Sequence, residues 1–176
     1  MALQTSGAIS FGNLQTEFGG SNPITMGEYA AFRVSGSGNT ISMNQFYGAS
    51  SSETQTVTVG TFYDGGAYIP STSYGYGQSQ GYGSVSDGTL GVVGNANILV
   101  LAHNNLVPNV ILTVSGTVAN SGFTTMTVAG TAYSRSAASF YQNTVAGTPL
   151  TTAWTWATTT NPFGTTVGAT KAVVFT

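Results

Sequence analysis

The chain has 176 residues, enough for one ordinary domain and a small appendage, and 41% of them are hydrophobic, so it carries the apolar surface needed to fold. Only 5% are charged, three Lys or Arg against five Asp or Glu, where a soluble domain ordinarily has ~25%. Three fixed cations, Arg33, Arg135 and Lys171, cannot neutralise a phosphate backbone, which excludes a nucleic-acid binder; the lack of cysteine excludes disulfides and Cys-ligated zinc.

No run approaches ~18 consecutive apolar residues, and Met1 to Ser10 holds neither a basic region nor a long apolar stretch. Neither a membrane span nor a signal peptide is expected. A monomer normally keeps itself apart by surface charge and guards its sheet edges with Lys or Pro. A surface of Ser, Thr, Asn, Gln, Gly and Tyr tolerates burial against another neutral polar surface better, so the composition points to a chain covered by partners. The competing reading is a neutral extracellular β domain that stays monomeric.

The first 50 residues repeat one pattern three times: Ile9-Ser10-Phe11-Gly12-Asn13-Leu14, Ile24-Thr25-Met26-Gly27-Glu28-Tyr29 and Ile41-Ser42-Met43-Asn44-Gln45-Phe46. Each reads as a helix start. Ser10, Thr25 and Ser42 stand at the N-cap, and Glu28 and Gln45 stand where a side chain closes a capping box; Asn13 is a weaker occupant of the same place. Ile9, Ile24 and Ile41 precede the caps and Leu14, Tyr29 and Phe46 follow, the two positions of a hydrophobic staple. Gly19-Gly20-Ser21-Asn22-Pro23 ends the first helix and Ser35-Gly36-Ser37-Gly38 the second. Helices this short are marginal alone, so the segment is expected to gain stability by docking; the alternative is a capping subdomain of the same fold.

After Gly48-Ala49-Ser50-Ser51-Ser52, read as a linker, the texture becomes β-branched alternation with Gly-rich turns. Predicted strands are Thr54 to Phe62, Asn97 to Leu101, Asn109 to Val114, Thr125 to Val128, Thr131 to Ser134, Ala138 to Gln142, Ala153 to Ala157 and Lys171 to Phe175. This predicts a mainly β fold, a sandwich of jelly-roll or Ig-like type over 54–176, behind a helical attachment segment over 1–50. Ala129-Gly130 predicts a hairpin turn and Asn161-Pro162-Phe163-Gly164 a type I turn. Trp154 and Trp156 share one face and read as core. Between Tyr63 and Gly91 the chain is dense in Tyr, Gly and Ser, the composition of adaptable binding loops; Tyr68, Tyr74, Tyr76 and Tyr82 are the candidate ligand contacts there. The other reading is a surface loop whose tyrosines pack on the sheet or on a neighbouring subunit.

Gly77-Gln78-Ser79-Gln80-Gly81 matches the nucleophile elbow G-x-S-x-G, and Asp87 and His103 follow in the order Ser, Asp, His. An elbow needs an apolar strand before it, a helix after it and intervening βα units, for which this spacing leaves no room. Gly75-x-Gly77-x-x-x-Gly81 misses the dinucleotide fingerprint by one residue, and Glu17, Glu28, Glu53, Asp64 and Asp87 are too scattered for a metal site. Asp64 and Asp87 are poorly supported as a carboxylate pair, and His103 reads as satisfying a turn. No catalytic residue, metal or cofactor is expected.

The stretch from Ser6-Gly7-Ala8-Ile9-Ser10-Phe11 to Ile41-Ser42-Met43-Asn44-Gln45-Phe46-Tyr47-Gly48 resembles an N-terminal segment that recurs in virion proteins of tailed bacteriophages. Phe123 to Tyr133, with Trp154-Thr155-Trp156 and Asn161-Pro162-Phe163-Gly164-Thr165, is similar to the β module often paired with it. The resemblance covers about half of the chain; Gly12 in the first copy and the lack of a long fibrous shaft depart from it. It implies a structural particle component, assembled in the host cytoplasm and resident in the virion. The leading expectation is a tail-associated protein of the fibre, tip or baseplate region that docks through residues 1–50 and forms a homo-oligomer, with a trimer as the expected state. The alternatives are a capsid decoration or head-fibre protein, and a module that binds a host-surface glycan through the four tyrosines.

Overall fold

A computed structural model describes residues 3–20, 22–23, 25–33, 40–47, 52–63 and 72–176. Ile24, Asp64, Tyr68, the second helix stop at 35–38 and linker positions 48–51 lie outside the described residues.

The N-terminal segment holds one α-helix, α1 (Phe11–Phe18), and two 3-10 turns, Met26–Phe32 and Met43–Phe46. The strands that follow are β1 (Glu53–Thr58), β2 (Gly60–Tyr63), β3 (Thr72–Gly77), β4 (Ser84–Val85), β5 (Thr89–Leu90), β6 (Ala96–Asn104), β7 (Asn109–Ser115), β8 (Thr125–Val128), β9 (Thr131–Ser134), β10 (Ser139–Asn143), β11 (Thr151–Ala157) and β12 (Thr170–Phe175). They form two antiparallel sheets, ordered β4-β1-β12-β8-β9 and β10-β11-β7-β6-β3-β2, with β5 added beside β6. The chain is mainly β and has the layers of a β-sandwich.

Alternation explains the core. Val57, Met126, Val128, Val173 and Phe175 from the first sheet meet Leu101, Val110, Leu112, Val114, Trp154 and Trp156 from the second in one buried cluster. Both tryptophans are core, as their shared face predicts: Phe123 and Phe140 each approach the Trp154 ring at 5.5 Å, and Tyr133 lies 5.9 Å from Trp156. The Ala129-Gly130 turn has positive φ at both residues, 47° and 88°, the geometry that matches the twist of the flanking β8 and β9. At the other predicted turn the Gly164 N–H donates to the Asn161 carbonyl at 3.3 Å, and Phe163 drops into the core.

The run predicted as one strand over 54–62 is two strands on different sheets. β1 pairs with β12 and β4, β2 with β3, and the chain changes sheet at Val59 and Gly60. Val59 is fastened at the crossing, donating to the Ala169 carbonyl and accepting from the Gly168 N–H, both at 2.8 Å. Gly60 is required there, because a Cβ would stand 2.2 Å from the Gly83 nitrogen.

Candidate functional site

The three N-terminal motif copies converge. Leu14, Tyr29 and Phe46 are buried together with Leu3 in a cluster separate from the sandwich core, and Ile9 and Ile41 pack against it half-buried. The staple positions therefore do what their spacing requires, and they build a small core inside the segment itself. Phe18 stacks on Phe32 at 4.3 Å, and the Tyr29 hydroxyl donates to the Gly19 carbonyl at 2.9 Å. Burial and then the neighbouring Glu28 carboxylate raise the Tyr29 phenol above its ordinary pKa. Arg33 ties the middle turn to the third copy, donating through Nε to the Ala30 carbonyl at 2.9 Å and through Nη1 to the Thr40 carbonyl at 3.4 Å.

The capping pattern differs from expectation in rank. The first copy, with Asn13, makes a full box: Ser10 Oγ accepts from the Asn13 N–H at 3.2 Å, and Asn13 Oδ1 accepts from the Ser10 N–H at 2.8 Å. It alone begins an α-helix. The third copy closes its expected box as well, with Gln45 Oε1 accepting from the Ser42 N–H at 3.0 Å, but a 3-10 turn follows it. Thr25 makes no side-chain cap; its carbonyl accepts from the Glu28 N–H at 3.2 Å, and a 3-10 turn follows. As docking contacts the predicted residues divide by exposure. Ser10, Thr25, Glu28 and Ser42 are exposed and Gln45 is half-buried, while Leu14, Tyr29 and Phe46 shape the segment from within. The apolar groups it presents outward are Phe11, 41% exposed, and Tyr47, 36% exposed, both missed by the sequence reading. Phe11 follows the first cap directly and Tyr47 the last staple residue, so their places in the repeat were the available signal.

The tyrosine-rich run is not one loop. Residues 72–77 are strand β3, whose neighbours β2 and β6 place it inside the second sheet. Tyr74 sits opposite His103 and Tyr76 opposite Leu101, so both rings face the sandwich interior and pack on its core. Ser73, Gly75 and Gly77 take the other face, where a Cβ on Gly75, at φ +139°, would meet the Leu101 carbonyl at 2.4 Å. Tyr82 is exposed and stacks at 6.4 Å on Phe62, which shares the face of Ser73. The three described tyrosines therefore occupy opposite faces and form no common platform.

The elbow-like sequence is equally dispersed. A strand does precede Ser79, but a single 3-10 turn, Gln78–Gln80, follows it, closed by Gly81 in the left-handed conformation. His103 stands at the level of Tyr74, three residue pairs from Gly77, or ~10 Å along the strand. Its ring is buried and both nitrogens are engaged, Nδ1 with the Asn105 amide oxygen at 2.9 Å and Nε2 with the Thr158 carbonyl at 3.0 Å. Ser79, Asp87 and His103 do not assemble into a triad.

Two polar networks that the sequence reading missed fasten long loops. Gln55 is fully buried on the core face of β1; its Nε2 donates to Glu53 Oε1 at 2.7 Å and to the Thr89 carbonyl at 2.8 Å. Its Oε1 accepts from Ser86 Oγ at 3.0 Å and from the Asp87 N–H at 3.2 Å, while Glu53 Oε2 accepts from the Val92 N–H at 3.0 Å. In the second network, at the same end of the sandwich, Asn120 Oδ1 accepts from Trp154 Nε1 at 2.9 Å and from Arg135 Nη1 at 3.2 Å. Arg135 also donates to the Phe123 and Asn120 carbonyls, and Thr152 Oγ1 bridges the Gly116 carbonyl and the Val118 N–H.

No family model, characterised protein or solved structure matches the chain. Among the described residues, no helix is long and apolar enough to cross a membrane.

Proposed function

We propose that the chain is a non-enzymatic structural component of a tailed-phage particle, tail-associated, which docks through its N-terminal segment and associates with copies of itself. The observation that carries this reading is where the few charges go. Glu53 and Arg135, two of the eight charged side chains, hold the chain's own loops, and Arg33 ties together two turns of the segment. Among the described residues Glu28 and Asp87 are the charged side chains left exposed, and the rest of the outer surface is dominated by Thr, Ser, Gly and Tyr, which lose little hydration energy when a protein neighbour covers them. The segment before β1, with its own core and with Phe11 and Tyr47 turned outward, has the form of a small knob suited to a shallow apolar socket. The resemblance of that segment to phage virion proteins supplies the kind of particle.

Quantitative mass spectrometry of purified particles tests the reading. A tail-associated protein is expected at low copy number, a head decoration protein at far higher copy number, and absence from particles overturns the proposal. Deleting residues 1–50, or replacing Phe11 by Glu, is expected to abolish incorporation; normal incorporation of either variant removes the docking claim.

A further inference from the structure

We infer that β10 is the surface through which two copies of this chain join, in an antiparallel pairing centred on Tyr141. The inference gives a contact to the self-association proposed above, and its geometry stands without the virion reading.

The two sheets present four edge strands. The first sheet ends in β4, two residues long, and in β9, where the Ser134 carbonyl is taken by the Trp156 indole N–H at 2.7 Å. The second sheet ends in β2, crowded at Gly60 by the Tyr82-Gly83 backbone, and in β10. β10 is the longest of these edges, Ser139-Phe140-Tyr141-Gln142-Asn143, and it carries neither a charge nor a proline, the usual guards of an exposed edge.

The phase of its hydrogen bonds follows from the neighbouring strands. The Gly116 N–H donates to the Leu150 carbonyl at 2.8 Å, and the Thr158 N–H to the Pro108 carbonyl at 3.0 Å. Antiparallel bonding alternates along a strand, so the even-numbered residues of β11 bond to β7 and Thr151, Ala153 and Thr155 bond to β10. Their partners Asn143, Tyr141 and Ser139 are used, and the N–H and C=O groups of Phe140 and Gln142 point away from the sheet. In a twofold pairing about Tyr141, Phe140 of each copy stands opposite Gln142 of the other. Each such pair exchanges two hydrogen bonds, so all of these outward groups are satisfied.

The same symmetry explains the side chains. Tyr141, 62% exposed, meets its own copy at the closely spaced, non-hydrogen-bonded position, and an aromatic pair there is stabilising. Ser139 meets Asn143, a neutral polar pair. An ionised side chain on this strand would face itself or a near neighbour across the axis, so an uncharged strand suits pairing with a second copy, whereas a different partner could have matched a charge. Val145 and Leu150, exposed beside the strand, add apolar rim to the same contact.

The chain lacks cysteine, which makes a direct test available. Tyr141→Cys puts two thiols across the axis at a Cα separation of ~4.5 Å, within disulfide range, and mild oxidation is expected to give a covalent dimer. Ser139→Cys puts the two thiols about four residues out of register, ~13 Å apart along the strand, and is expected to stay uncrosslinked. Tyr141→Lys is expected to raise the dimer dissociation constant about a hundredfold in sedimentation equilibrium, with unchanged circular dichroism and, at concentrations low enough that both proteins are monomeric, unchanged thermal unfolding. Equal crosslinking of the two cysteine variants, no crosslinking of either, or undiminished association of Tyr141→Lys overturns the inference. A chain that dimerises through Tyr141 but is missing from particles would sink only the virion reading; a particle component that fails the cysteine test would sink only this one.

Discussion

Replacing Gln55 by Met removes the most concentrated set of buried polar contacts in the sandwich while keeping nearly the same volume. The side chain is fully buried and makes four hydrogen bonds, one of them to the Glu53 carboxylate. Neutral bonds contribute ~1 kcal/mol each and those to a charged group ~2 kcal/mol, and the Thr89 carbonyl and Asp87 N–H are left behind without partners, so the loss is on the order of 4 kcal/mol. For a domain of this size that corresponds to a melting temperature lower by roughly 10 °C. Urea unfolding followed by far-UV circular dichroism measures the loss, and hydrogen exchange at the Val92 amide, held by Glu53 Oε2 at 3.0 Å, reports whether the 86–92 segment loosens first. Ser86→Ala, which removes two bonds of an exposed residue, one donated to Gln55 Oε1 at 3.0 Å and one accepted from the Thr56 N–H at 3.1 Å, is expected to cost ~1–2 kcal/mol. If Gln55→Met stays within about 1 kcal/mol of the parent, the network contributes no net stability and the reasoning fails.

Phe46→Ala empties the centre of the small N-terminal core, at a cost of ~3–5 kcal/mol to that segment; limited proteolysis should then cut before Glu53 while β1 to β12 stay protected. Asn120→Ala strands the Trp154 indole N–H and removes one of the acceptors of Arg135, which keeps the Phe123 and Asn120 carbonyls, so the urea midpoint should fall by the equivalent of ~1–3 kcal/mol and the tryptophan emission should shift. Tyr133→Phe deletes a buried hydroxyl that has no partner among the described residues, and it should leave stability unchanged or raise it by up to ~1 kcal/mol. Burial raises the Tyr133 phenol above its ordinary pKa, so above about pH 10 the unfolded chain ionises first and stability falls. Tyr133→Phe should flatten part of that alkaline fall in a pH series of thermal melts; an unchanged slope would refute the burial effect.

Strands that bury side chains were legible, and strands that bury backbone were not. β7, β8, β11 and β12 announce themselves by alternation, because buried Val, Leu, Met, Trp or Phe recur at every second residue and their transfer from water drives the pairing, whereas β9 buries Tyr133 alone and β6 is buried on both faces from Leu101 to Asn104. β3 gives the opposite signal. Its outer-face positions are Ser73, Gly75 and Gly77, all buried; at Gly75 the neighbouring Leu101-Ala102 backbone leaves no room for a side chain, and glycine carries no hydropathy to register that. Its tyrosines then read as a loop. The change of sheet at Val59 left no trace: Gln55, Val57 and Val59 turn inward at odd positions, and Thr61, opposite Tyr74, keeps that phase while Phe62 takes the outer face with Ser73, so the alternation runs unbroken across the crossing. The N-terminal repeat was legible in its spacing and illegible in its conformation, since 3-10 turns and α-helix share the same caps and staples over one turn. The networks of Gln55 and Asn120 join residues more than 30 positions apart, and no local pattern encodes such pairings.

A twofold contact through β10 also constrains everything else the surface can do. An isologous pair uses the same patch on both copies and therefore closes, so it cannot propagate into a fibre however exposed the edge is. That is a safer use of an unguarded strand than a head-to-tail contact, which would run on until it closed as a ring. With β10 consumed in a pair, any threefold arrangement of the kind expected from the sequence has to be made elsewhere; exposed apolar side chains remain at Leu106 and Val107 between β6 and β7, at Val167, and at Phe11 and Tyr47 on the N-terminal segment, which is the one proposed to dock. The two ends of the chain would then have separate roles, the β-sandwich joining copies in pairs and the capped segment setting where, and in what number, those pairs attach.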